Sequence, residues 1–268
     1  MRFARRLVIL LSLAIIPLGL TCRGADQPCD GAAAGCTRVL FVGNSYTSVN
    51  NLPSMFAKLA ASGGHRVDAA MTGQGGWTLA EQASSGDLAS RLSSSEWDVV
   101  VLQEQSQIPA SDTARRATMF PAARQLVADV RAAGAQPMLF LTWAHRDGWP
   151  EQSLPDYASM QSAIDDGYLA IGREQGVAIA PVGRAWSIVI GEQAQPGLWQ
   201  DDGSHPTVRG TYLAACVFYA AIFGENPSGL RYRAGLSEEE ATRLQYAAAD
   251  AVLVDPAAWN IDLTARAR

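Results

Sequence analysis

A serine, a histidine and an aspartate, the side chains used together in acyl transfer, stand in two short loop-like segments of this chain. Ser45 lies in "VGNSYT", and Asp202 and His205 share "DDGSHP" at 201–206. A serine hydroxyl becomes a nucleophile when a base takes its proton, and a neutral histidine needs an acid to hold its tautomer. The three-residue spacing lets Asp202 reach one ring nitrogen of His205 while the other faces Ser45. These residues predict a catalytic triad.

Each of the three residues also has a simpler interpretation. Ser45 could be a helix N-cap, Asp202 a turn residue and His205 a surface side chain before a proline. Asp202 and His205 could instead be metal ligands, but the chain has only three histidines and no His-Glu-x-x-His pattern, so a zinc site is disfavoured. We predict that neither a metal nor a cofactor is needed.

Acyl transfer also needs hydrogen-bond donors for the oxyanion of the tetrahedral intermediate. Gly76, in "TGQGGWT", could present an unobstructed backbone N–H, and Ser45 could present its own. Side-chain amides are available from Gln103, Gln105 and Gln107, which alternate onto one face if the preceding strand continues that far. The simpler interpretations are a plain glycine turn and a polar strand end.

Elements of an α/β fold would bring these residues together. Apolar runs typical of buried strands are separated by helical patterns, including 114–134 and 156–176. The runs are 37–43, 65–73, 97–103, 136–143 and 176–183. This alternation predicts a mainly parallel five-stranded sheet covered by helices on both sides, with ligands at the carboxyl ends of its strands. Ser45, Gly76, Gln105 and His145 follow the ends of the first four runs. No repeat or long linker suggests a second domain over 37–268.

Four segments in the order "FVGNSYT", "TGQGGWT", "VVLQEQS" and "DGSHPT" resemble the four sequence blocks of the SGNH, or GDSL-like, hydrolase superfamily. The resemblance extends from Thr37 to about Gly224 and implies a three-layer α/β/α flavodoxin-like fold. It implies Ser45 as nucleophile, His205 as base, Asp202 as the orienting acid, and Ser45 and Gly76 as oxyanion donors.

Two positions depart from the family pattern. Asn44 stands where the first block usually has aspartate, and the usual asparagine of the third block is missing. A glutamine would have to replace it, and the chain is similar in this to branches of the superfamily that act on carbohydrate esters, such as sialate O-acetylesterases. An ungapped count points to Gln107, whereas the extra methylene of glutamine favours an earlier residue; we choose Gln105.

The surroundings of the predicted site are rich in tryptophan. Trp77 and Trp143 fall in or near loops at the active edge and could form flat platforms for sugar rings, and His145 could line the pocket. Ordinary packing of the tryptophans and a structural hydrogen bond for His145 are the alternatives. We expect an esterase that removes short acyl groups, such as acetyl, from carbohydrates. A lipid-directed esterase and a non-catalytic glycan-binding module are the competing hypotheses.

The N-terminus indicates export. Three arginines precede the apolar run Leu7 to Leu20, which is short for a membrane span, so 1–21 reads as an export signal. Either Cys22 is lipidated, which would be the chain's only membrane attachment, or the signal is cleaved near Gly24 or Ala25. The leader 22–36 contains Cys29 and Cys36, which an oxidising compartment would join in a disulfide, with two free thiols as the alternative. The net charge of −5 disfavours nucleic acid as a partner.

Overall fold

The computed structural model describes residues 29, 35–192 and 197–263. The predicted export signal at 1–21, the proposed lipid attachment at Cys22 and most of the leader lie outside the described residues. Cys29 and Cys36 form a disulfide with Cα atoms 5.8 Å apart, and Cys216 is a buried free thiol.

Five parallel strands form one sheet in the order β2-β1-β3-β4-β5. The strands are β1 (Cys36–Val42), β2 (Arg66–Thr72), β3 (Val99–Leu102), β4 (Gln136–Phe140) and β5 (Ala178–Ala180). The chain passes from β1 to the edge strand β2, and then crosses to the other side of β1, where β3, β4 and β5 follow in order. This reversal places the carboxyl ends of β1, β2 and β3 next to one another, where ligands bind in open α/β sheets.

Successive residues of β1 point to opposite faces of the sheet, and both faces are buried. Val39 and Phe41 pack into one apolar core and Leu40 and Val42 into the other, all with no exposed surface. A strand buried on both faces reads as a continuous apolar run, which explains why the sequence reveals it so clearly.

Helices cover both faces. The first face carries α2 (Leu52–Ser62), α8 (Val182–Glu192), α9 (Val208–Phe223) and α10 (Glu238–Leu253), and the second carries α3 (Leu79–Ala83), α4 (Gly86–Ser94), α6 (Phe120–Ala132) and α7 (Tyr157–Gln175). Two further short helices are α1 (Ser45–Ser48) and α5 (Asp112–Ala114). The predicted three-layer α/β/α fold with a five-stranded parallel sheet is confirmed. Within the described part of the chain, none of these helices has the length and apolar character that crossing a membrane requires.

The elements differ from the sequence prediction mainly at their ends. β3 ends at Leu102 and β4 at Phe140, short of the predicted 103 and 143. The residues beyond these points lead into the loops of the site. The predicted helix 114–134 is one turn of α5, a π-helical turn over Arg115–Met119, and then α6. Pro121 lacks the N–H that a regular helical ladder would use, and the irregular turn directly precedes it.

Candidate active site

Ser45 is the first residue of a short helix that begins directly after β1. Asn44 caps this helix, since its Oδ1 accepts the Tyr46 N–H at 3.1 Å. The first N–H groups of a helix have no acceptor within it, so the N–H of Ser45 is available to a ligand. The residue before this turn, Gly43, is a glycine because a Cβ at this position would lie 2.6 Å from Gln103 Oε1. The strand-to-helix turn thus exposes both the hydroxyl and the backbone donor of Ser45.

The segment 201–206 brings its histidine to this serine. His205 Nε2 lies 2.9 Å from Ser45 Oγ, and His205 Nδ1 lies 2.6 Å from Asp202 Oδ2. Asp202 Oδ1 accepts the backbone N–H groups of Ser204 and His205, both at 2.9 Å. Burial alone would raise the pKa of Asp202, but the hydrogen bonds from Ser204 and His205 outweigh it and hold that pKa below its usual value. The arrangement places a carboxylate on Nδ1 and leaves Nε2 facing the hydroxyl.

The loop that carries His205 is fixed on both sides. Gln200 N–H donates to His205 O at 2.8 Å, and Arg146 N–H donates to Gly203 O at 2.8 Å. Thr207 then caps α9 through its side chain. Gly203 has a φ of +68°, in the left-handed region that favours glycine, which explains the glycine within the segment.

Tyr46 is a site residue that sequence reasoning missed. Its ring meets His205 edge-on, with centroids 5.8 Å apart, and its hydroxyl lies 2.7 Å from Ser204 Oγ. Burial raises the pKa of Tyr46 to about 12, so the phenol stays neutral. Its position directly after Ser45 was the available signal, but a tyrosine there is equally typical of a core.

Trp143 does not lie on the substrate face, and that prediction is wrong. The side chain is fully buried, stacked on Tyr46 at 4.5 Å and on Trp186 at 4.2 Å between ring centroids. Its Nε1–H donates to Ser204 O at 3.0 Å. A flat ring of this size gains more from burial between two other rings than from exposure at a loop. Trp143 therefore supports the histidine loop from behind.

Side-chain amides join the first and third sequence blocks. Gln103 Oε1 accepts the N–H of Asn44 at 2.9 Å and the hydroxyl of Thr47 at 3.0 Å, and Gln103 Nε2 donates to Asn44 Oδ1 at 2.9 Å. Asn44 Nδ2 in turn donates to the carbonyl of Trp77 at 2.9 Å. Gln103 is buried and fully engaged, and β3 has already ended, so the expected alternation of glutamines along a strand does not occur.

Gln105 and Gln107 border the open space next to the triad. Gln105 Oε1 accepts the Gln107 N–H at 2.8 Å and the Ile108 N–H at 3.3 Å, and Gln105 Nε2 donates to Ser106 Oγ at 3.3 Å. The two backbone donors fix which end of the Gln105 amide is the oxygen, and Nε2 keeps a second proton for another acceptor.

A cavity of about 550 Å³ lies over these residues. It is lined by Asn44, Ser45, Tyr46, Gly75, Gly76, Gln105, Ser106, Gln107, His145, Ser204 and His205. Gly76 is exposed with a φ of +78°. His145 Nε2 lies 3.2 Å from Ser106 Oγ, and burial lowers the pKa of His145. Trp77 is half-buried and is not among the lining residues, although its carbonyl holds Asn44.

A second cavity, of about 530 Å³, lies between α4 and α6, away from Ser45, His205 and Asp202. It is lined largely by alanine and leucine. Among the described residues, no group of three or more His, Cys, Asp or Glu side chains is arranged to bind a metal ion.

Comparison with solved structures gives the class of the protein. A candidate SGNH hydrolase from Slackia heliotrinireducens superposes with a TM-score of 0.60 at 27% identity, over 70% of this chain and 99% of that one. A DUF4886 family protein from Bacteroides uniformis gives a TM-score of 0.68 at 20% identity, over 81% of this chain and 95% of that one. An acetylxylan esterase from Geobacillus stearothermophilus gives 0.52 at 15% identity, over 68% and 92%.

No protein-family model and no curated protein sequence matches the chain. In this chain, Ser45 stands in the turn directly after the first strand of the matched fold. The chain has the fold of the SGNH, or GDSL-like, hydrolase superfamily.

Proposed function

We propose that the protein is an exported serine esterase that removes short acyl groups, most of all acetyl, from carbohydrates. The observation that carries this proposal is the Ser45-His205-Asp202 hydrogen-bond chain opening into a cavity lined by polar side chains and glycines.

The chemistry follows from the geometry of the three residues. His205 Nε2 takes the proton of Ser45 as Oγ attacks the ester carbonyl, and Asp202 stabilises the imidazolium that forms. The tetrahedral intermediate then collapses to a serine ester, and the imidazolium gives its proton to the leaving alcohol. Water attacks the serine ester in a second cycle with the same base, which releases the acid and restores the hydroxyl.

The oxyanion would be held by three donors: the N–H of Ser45, the N–H of Gly76 and the side-chain amide of Gln105. Each of these residues lines the cavity. Gln105 is preferred over Gln103, which is buried in contacts with Asn44 and Thr47. It is preferred over Gln107 because backbone donors orient its amide oxygen and leave the second proton of Nε2 for the oxyanion.

The substrate class rests on the cavity lining. No aliphatic side chain is among the described residues that line it, and a long acyl chain needs an apolar groove. Gln107, His145 and Ser204 instead offer hydrogen-bond partners for hydroxyl groups. The similarity to an acetylxylan esterase supports the same class. Trp77 could still contact a sugar from the rim, while buried Trp143 could not.

Export is the second part of the proposal. The Cys29–Cys36 disulfide supports it, because such bonds persist in oxidising compartments. N-terminal sequencing and mass measurement of the mature protein would distinguish cleavage near Gly24 or Ala25 from lipidation at Cys22. A full-length cytoplasmic protein would contradict export.

Substrate comparison tests the proposed activity. We expect p-nitrophenyl acetate to be hydrolysed at least tenfold faster than the octanoate, and acetylated xylan or acetylated sugars to release acetate. Ser45→Ala should abolish both activities. Ser48→Ala is the matched control, since Ser48 is an exposed serine in the same short helix.

Other results would point elsewhere. Faster hydrolysis of octanoate would indicate a lipid-directed esterase. A folded protein that binds glycans and hydrolyses none of these esters would indicate a non-catalytic binding module.

A further inference from the structure

Glu104 is a buried carboxyl group that the proposed reaction does not use. It lies between Gln103 and Gln105, just after β3, and none of its surface is exposed. Its Oε1 accepts the backbone N–H of Leu79 at 3.0 Å and that of Gln105 at 2.6 Å. Its Oε2 is buried and has no hydrogen-bond partner among the described residues.

A carboxyl group in this position is costly to keep. Removing it from water disfavours the charged form, and no salt bridge of the described residues involves it. The titratable groups that face it are Glu81 of α3 and Tyr168 of α7, whose hydroxyl accepts the Glu104 N–H at 3.3 Å. Burial raises the pKa of Glu104 to about 7, although the hydrogen bonds from Gln105 and Leu79 oppose the rise. A neutral apolar residue would avoid this cost, but it would leave the N–H groups of Leu79 and Gln105 without the oxygen that accepts them.

The two N–H groups that Oε1 binds belong to different parts of the site, the start of α3 and the loop after β3. Leu79 begins α3, three residues after Gly76, and the turn between them carries one proposed oxyanion donor. Gln105 carries another. One oxygen atom therefore joins the residue that directly follows the second sequence block to the third block. It does so behind the cavity, because Glu104 is not among the lining residues.

We propose that Glu104 is a positioning residue that holds the Gly76 turn and Gln105 at the separation needed to bind the oxyanion. This inference rests on the proposed esterase function. Asn44 and Gln103 tie the first block to the other two, and Glu104 supplies the bond that these amides do not make, between the second block and the third.

The geometry gives the expected behaviour of variants. Glu104→Gln keeps an oxygen that can accept both N–H groups, whereas Glu104→Met fills a similar volume and offers no acceptor. Misplaced oxyanion donors weaken the transition state more than the bound substrate. Glu104→Met should therefore lower kcat on p-nitrophenyl acetate by about 10- to 100-fold with KM within threefold of wild type. Glu104→Gln should recover kcat to within about fivefold of wild type.

Asp165 is the matched control, because burial raises its pKa to about 6 and its carboxyl is bound by Gln161, away from the triad cavity. Asp165→Asn should leave kcat within twofold of wild type. Amide hydrogen exchange provides a readout that needs no activity. The amides of Leu79 and Gln105 should exchange faster in Glu104→Met than in wild type, and the amides of α7 around Asp165 should not change.

The outcomes separate the two proposals. If wild type hydrolyses no ester, the proposed function fails, and hydrogen exchange still decides whether Glu104 joins the two loops. If wild type is active and Glu104→Met keeps kcat within twofold, or if Glu104→Gln is as slow as Glu104→Met, the positioning role is overturned. Unchanged exchange at Leu79 and Gln105 in Glu104→Met would overturn it as well.

Discussion

Replacing Asp202 by asparagine should disable the base while preserving the loop that carries it. The asparagine oxygen can still accept the backbone N–H groups of Ser204 and His205, which Asp202 Oδ1 accepts at 2.9 Å. Its NH₂ would then face His205 Nδ1, which is 2.6 Å from the carboxylate in the native chain. Nδ1 would have to become an acceptor, so the ring proton would lie on Nε2. A protonated Nε2 donates to Ser45 Oγ and cannot accept the proton of the Ser45 hydroxyl.

The magnitude can be worked from this geometry. The bond lost is a charge-assisted hydrogen bond, which contributes about 1.5–3 kcal/mol. At about 1.36 kcal/mol for each tenfold in rate, this corresponds to about 10- to 150-fold. The wrong tautomer of His205 makes the loss of rate larger. The 47% exposure of the Asp202 side chain makes it smaller, because solvent screens part of the carboxylate charge. We expect kcat/KM to fall by about 10²- to 10³-fold.

The assay is steady-state hydrolysis of p-nitrophenyl acetate by wild type, Asp202→Asn and Asp201→Asn. Asp201 is the matched control, since it is the exposed neighbouring acid of the same loop, and its variant should stay within twofold of wild type. Thermal unfolding confirms that both variants fold. Activity of Asp202→Asn within threefold of wild type, or an equal loss in both variants, would refute the reasoning.

Three further predictions concern the support of the site. Asn44→Asp should lower kcat for ester hydrolysis about tenfold or more. A carboxylate oxygen would replace the amide NH₂ that donates to Trp77 O, at a cost of about 1–3 kcal/mol. An unchanged kcat would count against the amide connection. Trp143→Phe should keep the ring stack but lose the hydrogen bond to Ser204 O. Urea titrations should show a free energy of unfolding lower by about 1–2 kcal/mol, and a variant as stable as wild type would contradict this. Because burial raises the pKa of Glu104, its contribution to stability is complete below pH 4.5 and is lost as pH rises through about 7, by at most about 3 kcal/mol. Between pH 5 and pH 8, the free energy of unfolding measured by denaturation should therefore fall more in wild type than in Glu104→Gln. Equal falls would show that Glu104 does not titrate this way.

The fold and the contact among Ser45, His205 and Asp202 were predictable from the sequence for identifiable reasons. The strands are buried on both faces and so appear as unbroken apolar runs, and the spacing of Asp202 and His205 lets both lie on one turn. Ser45, 160 positions earlier, could be paired with them because the strand ends of a parallel sheet meet at one edge.

The remaining features depend on packing that no local pattern records. Trp143 is buried because Tyr46 and Trp186 close on both sides of its ring, and neither is near it in sequence. Gln103 turns inward because β3 ends at Leu102, one residue earlier than predicted. Glu104 could not be distinguished from a polar loop residue, since its role appears only in the distance between two loops.

Covalent labelling of Ser45 tests the central claim most directly. A serine-reactive fluorophosphonate should modify one residue per chain, and peptide mapping should place the label on Ser45, whose hydroxyl lies 2.9 Å from His205 Nε2. Ser48→Ala should label like wild type and Ser45→Ala should not label. Absence of labelling in a folded wild-type protein, or a label on Ser106 or any other serine, would contradict the account.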